Sequence, residues 1–527
     1  MKPLAREHTG FSFLVNMLGR AWMAFMAIAF LPLYVSILGA EAFALVSIHA
    51  SIIAVASFLD LGLSTGITQR LGVLDRDDPK GVANAKDLLR SFEILYWSIG
   101  AAIAIVLALG SQMIVQRWLH LEHMPVEVAQ RGMQLISAYI FLQWPQSLYS
   151  GALVGLYKPV KFYQAKIFQV TFQNVGGYLL MKYYEPSPLV FLWWQILICL
   201  IAVIMMQRLT WSELSEKFIG QGRLKWQILK ENFSYFKGLS AMMFWGVILG
   251  QSDRIMISKL LPLEALGYYS LAASLANGLQ YIGAPLYASV LPKLSRLMKE
   301  NDEAAAKGFY FRSSIVLANI VIPGALMITF FSHEILQIWT QNSEIVTNTE
   351  QILSLIVLGT ALNAIMLQPL ALQLSVEWTK LSIYKNVIAA AIYLPVLYLL
   401  VTQYGAIGGA MCWTALNALY IAIEVPIMHQ RLFKGSLWAW YRSVLVYPSI
   451  VSLMAIYICS MFFVHLPGSR FLDLGVLAFF TLIAIVTSFL CQKLSRDIIV
   501  DNVRKLPLVV AAVRNRMQEP RNKISPE

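Results

Sequence analysis

Four basic residues lie inside long apolar stretches of this chain: Arg20, Lys166, Arg254 and Lys385. A charged group in hydrocarbon is costly, so an ionisable residue within an apolar stretch is a candidate functional group. Arginine and lysine are the side chains that most often bind phosphate in proteins. We therefore treat these four residues as candidates for binding an anionic group.

Arg20 has two polar residues within reach. Asn16 lies four residues earlier and on the same helical face. Asp60 is expected at a comparable depth in the next helix, where it could pair with Arg20. The structural alternatives are an arginine that snorkels to the cytoplasmic interface and an aspartate that serves only a helix end. About ten helical residues precede Arg20, or about 15 Å of helix, which favours a position inside the membrane.

Asp253 and Arg254 are sequence neighbours, so their side chains point about 100° apart on a helix. One is expected to face the substrate path and the other a neighbouring helix; the alternative is a pair that only anchors this helix. The secondary candidates for substrate contact are Arg70, Arg312, Asn363 and Gln368. The alternative for the two arginines is a place at a cytoplasmic helix end, and for the two amides interhelical hydrogen bonding.

The elements that position these residues must be membrane-spanning helices. Of the 527 residues, 58% are hydrophobic and only 13% are charged, whereas a soluble protein carries about 25% charged residues. Reading apolar runs of about 20 residues as spans predicts fourteen helices. They lie near residues 11–38, 42–66, 91–115, 132–156, 162–184, 188–207, 236–260, 265–292, 310–333, 351–375, 380–402, 405–429, 443–466 and 473–492.

The net charge of +12 is explained by the orientation of these helices. With a cytoplasmic N-terminus, most basic residues fall in cytoplasmic loops and in the tail, as the positive-inside rule requires. Both termini are therefore expected in the cytoplasm, and nucleic acid is not expected as a partner. The four cysteines have no paired spacing, and no nucleotide-binding glycine motif occurs, so neither a metal nor another cofactor is expected.

Two offsets of similar size indicate an internal repeat. Shifting the sequence by 223 residues matches Ser47 with Ser270, and shifting it by 219 matches Lys166 with Lys385. The fold expected is all-α and polytopic, with two six-helix lobes in a pseudo-two-fold repeat and two further helices. The expected domains are an N-terminal lobe, a basic cytoplasmic loop, a C-terminal lobe, helices 13 and 14, and a basic cytoplasmic tail. Their ranges are 1–207, 208–235, 236–432, 433–492 and 493–527.

The matched lysines lead to the sharpest hypothesis about function. Each is expected about five residues into its helix from the cytoplasmic side, so Lys166 and Lys385 would approach the mouth of a cavity from opposite lobes. An anionic headgroup entering from the cytoplasm would then meet both. The alternative is that both are interfacial anchors inherited with the duplication, because lysine stems snorkel readily.

Several motifs resemble the bacterial oligosaccharide flippases of the Wzx type, in the polysaccharide-transport branch of the MOP (MATE-like) superfamily. They are LPLYVSILGAEAFALVSI, FLDLGLSTGITQRL, QSDRIMISKLLPLEALGYYSLAASL and LPKLSRL. The resemblance covers most of residues 10–432. It implies a carrier that moves undecaprenyl-diphosphate-linked oligosaccharide from the cytoplasmic to the periplasmic leaflet of the bacterial inner membrane by alternating access, for O-antigen, capsule or exopolysaccharide synthesis.

The partners implied are the lipid bilayer and the polyprenyl-diphosphate-linked glycan, with a polysaccharide polymerase and chain-length proteins as further candidates. A proton or a sodium gradient is a candidate energy source. The alternatives are a lipid II flippase, a cation-coupled multidrug exporter of the same superfamily, and a polytopic glycan polymerase or glycosyltransferase. The enzyme is disfavoured because the longest outer loop, near residues 115–131, is too short to hold a catalytic domain.

Overall fold

The computed structural model describes residues 9–56, 60, 63–72, 74, 78–215, 222–225, 237–463 and 470–492. Within these ranges the structure is helical and contains no strand. The helices are α1 Thr9–Ala29, α2 Leu31–Ala56, α3 Leu63–Gly72, α4 Pro79–Arg117, α5 Val126–Gln143, α6 Gln146–Gly155, α7 Pro159–Tyr183, α8 Pro188–Ser215, α9 Lys237–Leu260, α10 Leu263–Ala276, α11 Gln280–Lys299, α12 Glu303–Phe330, α13 Ser332–Thr340, α14 Ser343–Ile365, α15 Leu367–Ser375, α16 Thr379–Tyr404, α17 Ala406–Leu432, α18 Leu437–Tyr441, α19 Tyr447–Phe463 and α20 Arg470–Cys491.

The all-α polytopic fold is confirmed. Nine helical stretches of the described chain are long and apolar enough to cross a membrane. The fifth predicted helix, which is rich in amides, is formed as α7. The tail from residue 493 and most of the predicted cytoplasmic loop lie outside the described residues, although α8 extends to Ser215 and so includes the start of that loop.

Backbone conformation at Gly39 and at Pro145 interrupts the helical structure. Gly39 interrupts α2 with φ 79° and ψ 165°, a left-handed conformation that costs glycine little because it has no Cβ. This break coincides with the predicted boundary between the first two helices. Pro145 separates α5 from α6, since proline has no backbone N–H to continue the helical hydrogen bonds.

The internal repeat is visible in the backbone. Asp78 caps the N-terminus of α4 by accepting the Gly81 N–H at 2.9 Å, and Asp302 caps α12, 224 positions later, through the Ala305 N–H at 3.0 Å. The short helix α6 is followed by a residue with left-handed backbone conformation and then by the long helix α7. In the same way, the short helix α15 is followed by a left-handed residue and then by the long helix α16. The left-handed residues are Tyr157 and Glu377, 220 positions apart.

The chain divides into two compact units. The first comprises residues 1–281, 331–362 and 378–420, and its core includes the fully buried Tyr149 where α4, α6 and α8 meet. The second comprises residues 282–330, 363–377 and 421–527, in which α19 and α20 pack on α12. These units group the helices differently from the domain ranges expected from the sequence, and those ranges remain a prediction.

Candidate functional site

Helix α7 places Lys166 beside two neutral side-chain amides. The Lys166 ammonium lies 2.7 Å from Oε1 of Gln146 on α6 and 3.0 Å from Oε1 of Gln169, one turn further along α7. The Gln146 amide also donates to the Cys199 sulfur of α8 at 3.2 Å, which fixes its orientation. Both glutamines are about 97% buried or more. Among the ion pairs of the described residues none involves Lys166, so its neighbours orient the charge without neutralising it.

Lys385, the repeat partner of Lys166, has an aromatic environment. Its ammonium lies 4.0 Å from the centre of the Tyr420 ring on α17, within cation–π range. The Tyr420 hydroxyl donates to the Asn386 side chain at 3.1 Å, which holds the ring in place. The two matched lysines therefore keep their position in the repeat, but their surroundings differ.

Arg20 packs against the same helix that carries Lys166. Its Nε donates to the Tyr163 hydroxyl at 3.0 Å, and Arg20 is itself exposed. Tyr163 precedes Lys166 by three residues, a spacing that places both on one side of α7. Helix α7 thus connects two of the four predicted cations.

The Asp60 carboxylate binds two hydroxyl groups, and its pairing with Arg20 stays a prediction. The Asp60 carboxylate accepts hydrogen bonds from the Tyr96 hydroxyl of α4 and from the Ser64 hydroxyl, the latter at 2.7 Å. Tyr96 is 99% buried and directs its hydroxyl at this carboxylate. Two hydroxyl donors stabilise Asp60 where the sequence suggested an arginine.

Asp253 and Arg254 point in different directions, as expected for helical neighbours. Asp253 is buried, and its carboxylate accepts the Tyr269 hydroxyl of α10 and, at 2.8 Å, the backbone N–H of Arg254. Arg254 is half-buried. Asp253 is the residue that contacts a neighbouring helix, and a substrate role for Arg254 remains a hypothesis.

The other candidates differ in accessibility. Asn16 lies on α1, where side-chain detail is outside the described part of the structure. Arg70 is exposed in the last turn of α3, and Arg312 is exposed on α12. Asn363 is half-buried near the end of α14, whereas Gln368 is fully buried on α15. Of these, Gln368 is the least able to reach a substrate in the conformation described.

Glu93 joins three helices and was not predicted from the sequence as a functional residue. Its carboxylate accepts the Arg90 guanidinium at 2.8 Å, the Tyr149 hydroxyl at 2.6 Å and the Gln207 amide at 2.6 Å. The Trp211 N–H adds a contact at 3.3 Å. Glu93 is 98% buried, and a lone acid just inside the predicted third helix was the signal that could have identified it.

Helices α2 and α10, which occupy equivalent places in the two repeats, pack closely together. The matched Ser47 and Ser270 hydroxyls lie 3.1 Å apart. A Cβ on Gly267 would lie 2.2 Å from the Ala40 carbonyl oxygen, so this approach requires glycine.

The same junction continues into the segments expected on the outer side of the membrane. The Leu263 N–H donates to the His120 carbonyl at 2.9 Å, and the Trp118 indole donates to the Ser258 hydroxyl at 3.0 Å. The Glu41 carboxylate accepts three consecutive backbone N–H groups of residues 122–124 at 2.8 to 3.1 Å. The two repeats are therefore joined at their predicted outer ends.

Residues 239–399 match the MatE family. This MatE-like segment makes up about a third of the chain. A protein of Shigella flexneri described as "Putative O-antigen transporter" is 22% identical over 429 residues, which cover 79% of this chain and 96% of that protein.

The fold around the MatE segment is also found in solved transporters. The lipid II flippase MurJ, in an inward closed conformation, has a TM-score of 0.68 at 14% identity and covers 93% of this chain and 100% of its own. An inward-facing multidrug resistance transporter of the MATE family and MOP superfamily has a TM-score of 0.55 at 14% identity, over 79% of this chain and 96% of its own. At these identities the likeness establishes the fold. With the apolar helices of the described chain, this fold is that of a multi-pass membrane protein.

Proposed function

We propose that this protein flips undecaprenyl-diphosphate-linked oligosaccharide from the cytoplasmic to the periplasmic leaflet of the bacterial inner membrane, with both termini in the cytoplasm. The observation that carries the proposal is the environment of Lys166: this half-buried cation is oriented by two buried neutral amides, which do not neutralise its charge. Such a group can bind an anionic headgroup reversibly. The product supplies cell-surface polysaccharide such as O-antigen, capsule or exopolysaccharide.

The cations of the first compact unit are arranged to receive a diphosphate. Lys166 is held by amides, Lys385 lies over an aromatic ring, and Arg20 donates to a tyrosine. Each of these contacts is with an uncharged group. A diphosphate could bind such cations by charge-assisted hydrogen bonds.

The acids of the same unit favour this substrate over a cationic drug. A transporter of cations needs carboxylates that are available to the substrate. Asp60 and Asp253 are each engaged by a tyrosine hydroxyl from a neighbouring helix. Both carboxylates are therefore held by contacts within the protein, which disfavours the multidrug exporter.

A lipid II flippase is the second candidate function. It is favoured by the similarity to MurJ over nearly the whole chain, whereas the name of the Shigella flexneri relative favours an O-antigen substrate. Both substrates share a polyprenyl diphosphate and differ in the attached sugars. We propose a proton or sodium gradient as the energy source, and polysaccharide polymerase and chain-length proteins as partners that receive the product.

Transport by the purified protein in liposomes tests the proposal. Vesicles would contain either a polyprenyl-diphosphate oligosaccharide or lipid II, and the sugar reaching the opposite leaflet would be measured with a membrane-impermeant lectin or hydrolase. We expect the oligosaccharide to be flipped. Transport of lipid II alone would support the second candidate, and transport of a cationic dye without either lipid would overturn the diphosphate assignment.

A further inference from the structure

Asp253 is a buried acid on α9 that takes part in none of the ion pairs of the described residues. It is only 5% exposed, and it precedes the last residue of α9, Leu260, by about 10 Å along the helix. An ionisable group within a membrane-spanning helix is costly and is therefore a candidate functional group. What Asp253 can bind depends on the donors and acceptors around its carboxylate.

Two hydrogen-bond donors contact the carboxylate of Asp253. The Tyr269 hydroxyl of α10 donates to one oxygen, and the Arg254 backbone N–H donates to the other at 2.8 Å. The half-buried Arg254 side chain adds a positive charge on the same helix. Hydrogen bonds to an ionised group are stronger than those to a neutral group. These contacts therefore suit the ionised form of Asp253.

Tyr393 of α16 supplies the acceptor that the protonated form of Asp253 needs. This tyrosine is 4% exposed, and its hydroxyl has no hydrogen-bond partner within the described part of the chain. The hydroxyl interacts electrostatically with Asp253, and so does the Cys412 thiol of α17, which lies 3.9 Å from the Tyr393 carbonyl oxygen. A protonated carboxyl group is a hydrogen-bond donor, and a hydroxyl oxygen can accept from it. The site can therefore satisfy both protonation states.

Close packing around Asp253 favours a proton over a larger cation. Ile257 lies one turn after Asp253 on α9, and so on the same face of the helix. A Cβ at Gly409 of α17 would lie 3.0 Å from the Ile257 side chain and 3.3 Å from the Tyr269 ring. Both distances are shorter than ordinary van der Waals contacts, so α17 lies close to this face because Gly409 has no side chain. A metal ion takes about six oxygen ligands, whereas a proton needs only the carboxylate.

We propose that Asp253 binds the proton that couples the gradient to transport. This role rests on the proposed function, and it selects the proton from the two candidate gradients. In the ionised state Tyr269 donates to the carboxylate, and in the protonated state the carboxyl group donates to the Tyr393 hydroxyl. The nearer end of α9 is the one expected on the outer side of the membrane, so a proton from that side has the shorter path to Asp253.

Infrared difference spectroscopy of the purified protein tests proton binding without any transport. A protonated carboxyl group has a C=O stretching band that a carboxylate lacks, so we expect a pH-dependent band in the wild type that is missing in Asp253→Asn. Glu127→Gln removes an exposed acid in the first turn of α5 and should keep the band. Tyr393→Phe should move the midpoint of the band by about one pH unit, the scale of one neutral hydrogen bond. Identical bands in the wild type and in Asp253→Asn would overturn the proposal, as would a band that responds to sodium and not to pH.

Flipping in liposomes with an imposed pH gradient tests the coupling. With one proton per substrate, a gradient of one pH unit supports about a tenfold ratio of the oligosaccharide between the two leaflets. We expect this ratio in the wild type and in Glu127→Gln, and a ratio of about one in Asp253→Asn. A tenfold ratio in Asp253→Asn would overturn the proposal. If the wild type flips no oligosaccharide under any condition, the proposed function fails, and the infrared band still decides whether Asp253 binds a proton.

Discussion

Replacing Lys166 with methionine separates a transport role from a structural one. The substitution keeps the length of the side chain and removes its charge. It leaves two buried amide oxygens, those of Gln146 and Gln169, without their donor. An unsatisfied buried acceptor costs about 1–3 kcal/mol, whereas burying a charged ammonium costs several kcal/mol. These terms oppose each other, so we expect the stability of Lys166→Met to change by less than about 2 kcal/mol.

Transport should respond differently. If Lys166 binds a phosphate, its loss removes a charge-assisted interaction of about 1.5–3 kcal/mol, which corresponds to about a 10- to 100-fold lower flipping rate. The companion variant Gln146→Leu is expected to lose more stability than Lys166→Met, because it leaves a buried charge with one partner fewer.

The assay is flipping of a polyprenyl-diphosphate oligosaccharide in liposomes with equal amounts of folded protein, together with thermal unfolding in detergent. Lys182→Met is the matched control, since Lys182 is exposed in the last turn of the same helix and contacts the Tyr178 ring. A wild-type flipping rate in Lys166→Met would refute the phosphate role. Loss of transport only in proportion to lost stability would make the residue structural.

Three other variants follow from the same contacts. Lys385→Met should slow flipping by about tenfold or more, the scale of one charge-assisted hydrogen bond to a phosphate, and a wild-type rate in the double variant with Lys166→Met would make both lysines interfacial anchors. Ser47→Cys combined with Ser270→Cys should form a cross-link under mild oxidation, since the two hydroxyls lie 3.1 Å apart. We expect this cross-link to stop flipping. Full activity after complete cross-linking would argue against separation of α2 from α10 during transport. Glu93→Gln should lower the free energy of unfolding by about 3 kcal/mol, because it breaks a buried charge network; an unchanged melting temperature would contradict this.

The fold was largely predictable from the sequence because the bilayer restricts it. Apolar runs of fixed length, charged loops and an internal offset were sufficient to locate the helices. The site was less predictable. Lys166 stood out as a charge in an apolar run, but Gln146, which orients it, lies 20 residues earlier on another helix. No periodic pattern connects two such positions.

The contacts of Asp60 and Arg20 were not predictable for a related reason. Opposite charges expected at similar depth suggested a pair, whereas the Tyr96 hydroxyl donates to Asp60 and the Tyr163 hydroxyl accepts from Arg20. A buried tyrosine hydroxyl usually forms a hydrogen bond, so tyrosines of this chain can compete with arginine for its carboxylates.

The contact between Ser47 and Ser270 has a consequence for the origin of the chain. Each serine meets its own counterpart in the other repeat, which is the geometry of an isologous interface in a two-fold homodimer. A single six-helix chain carrying this face would meet a second copy through the same serine. The junction of α2 and α10 is thus arranged like the interface of a dimer, although both sides belong to one polypeptide. This arrangement is expected if two identical subunits were fused.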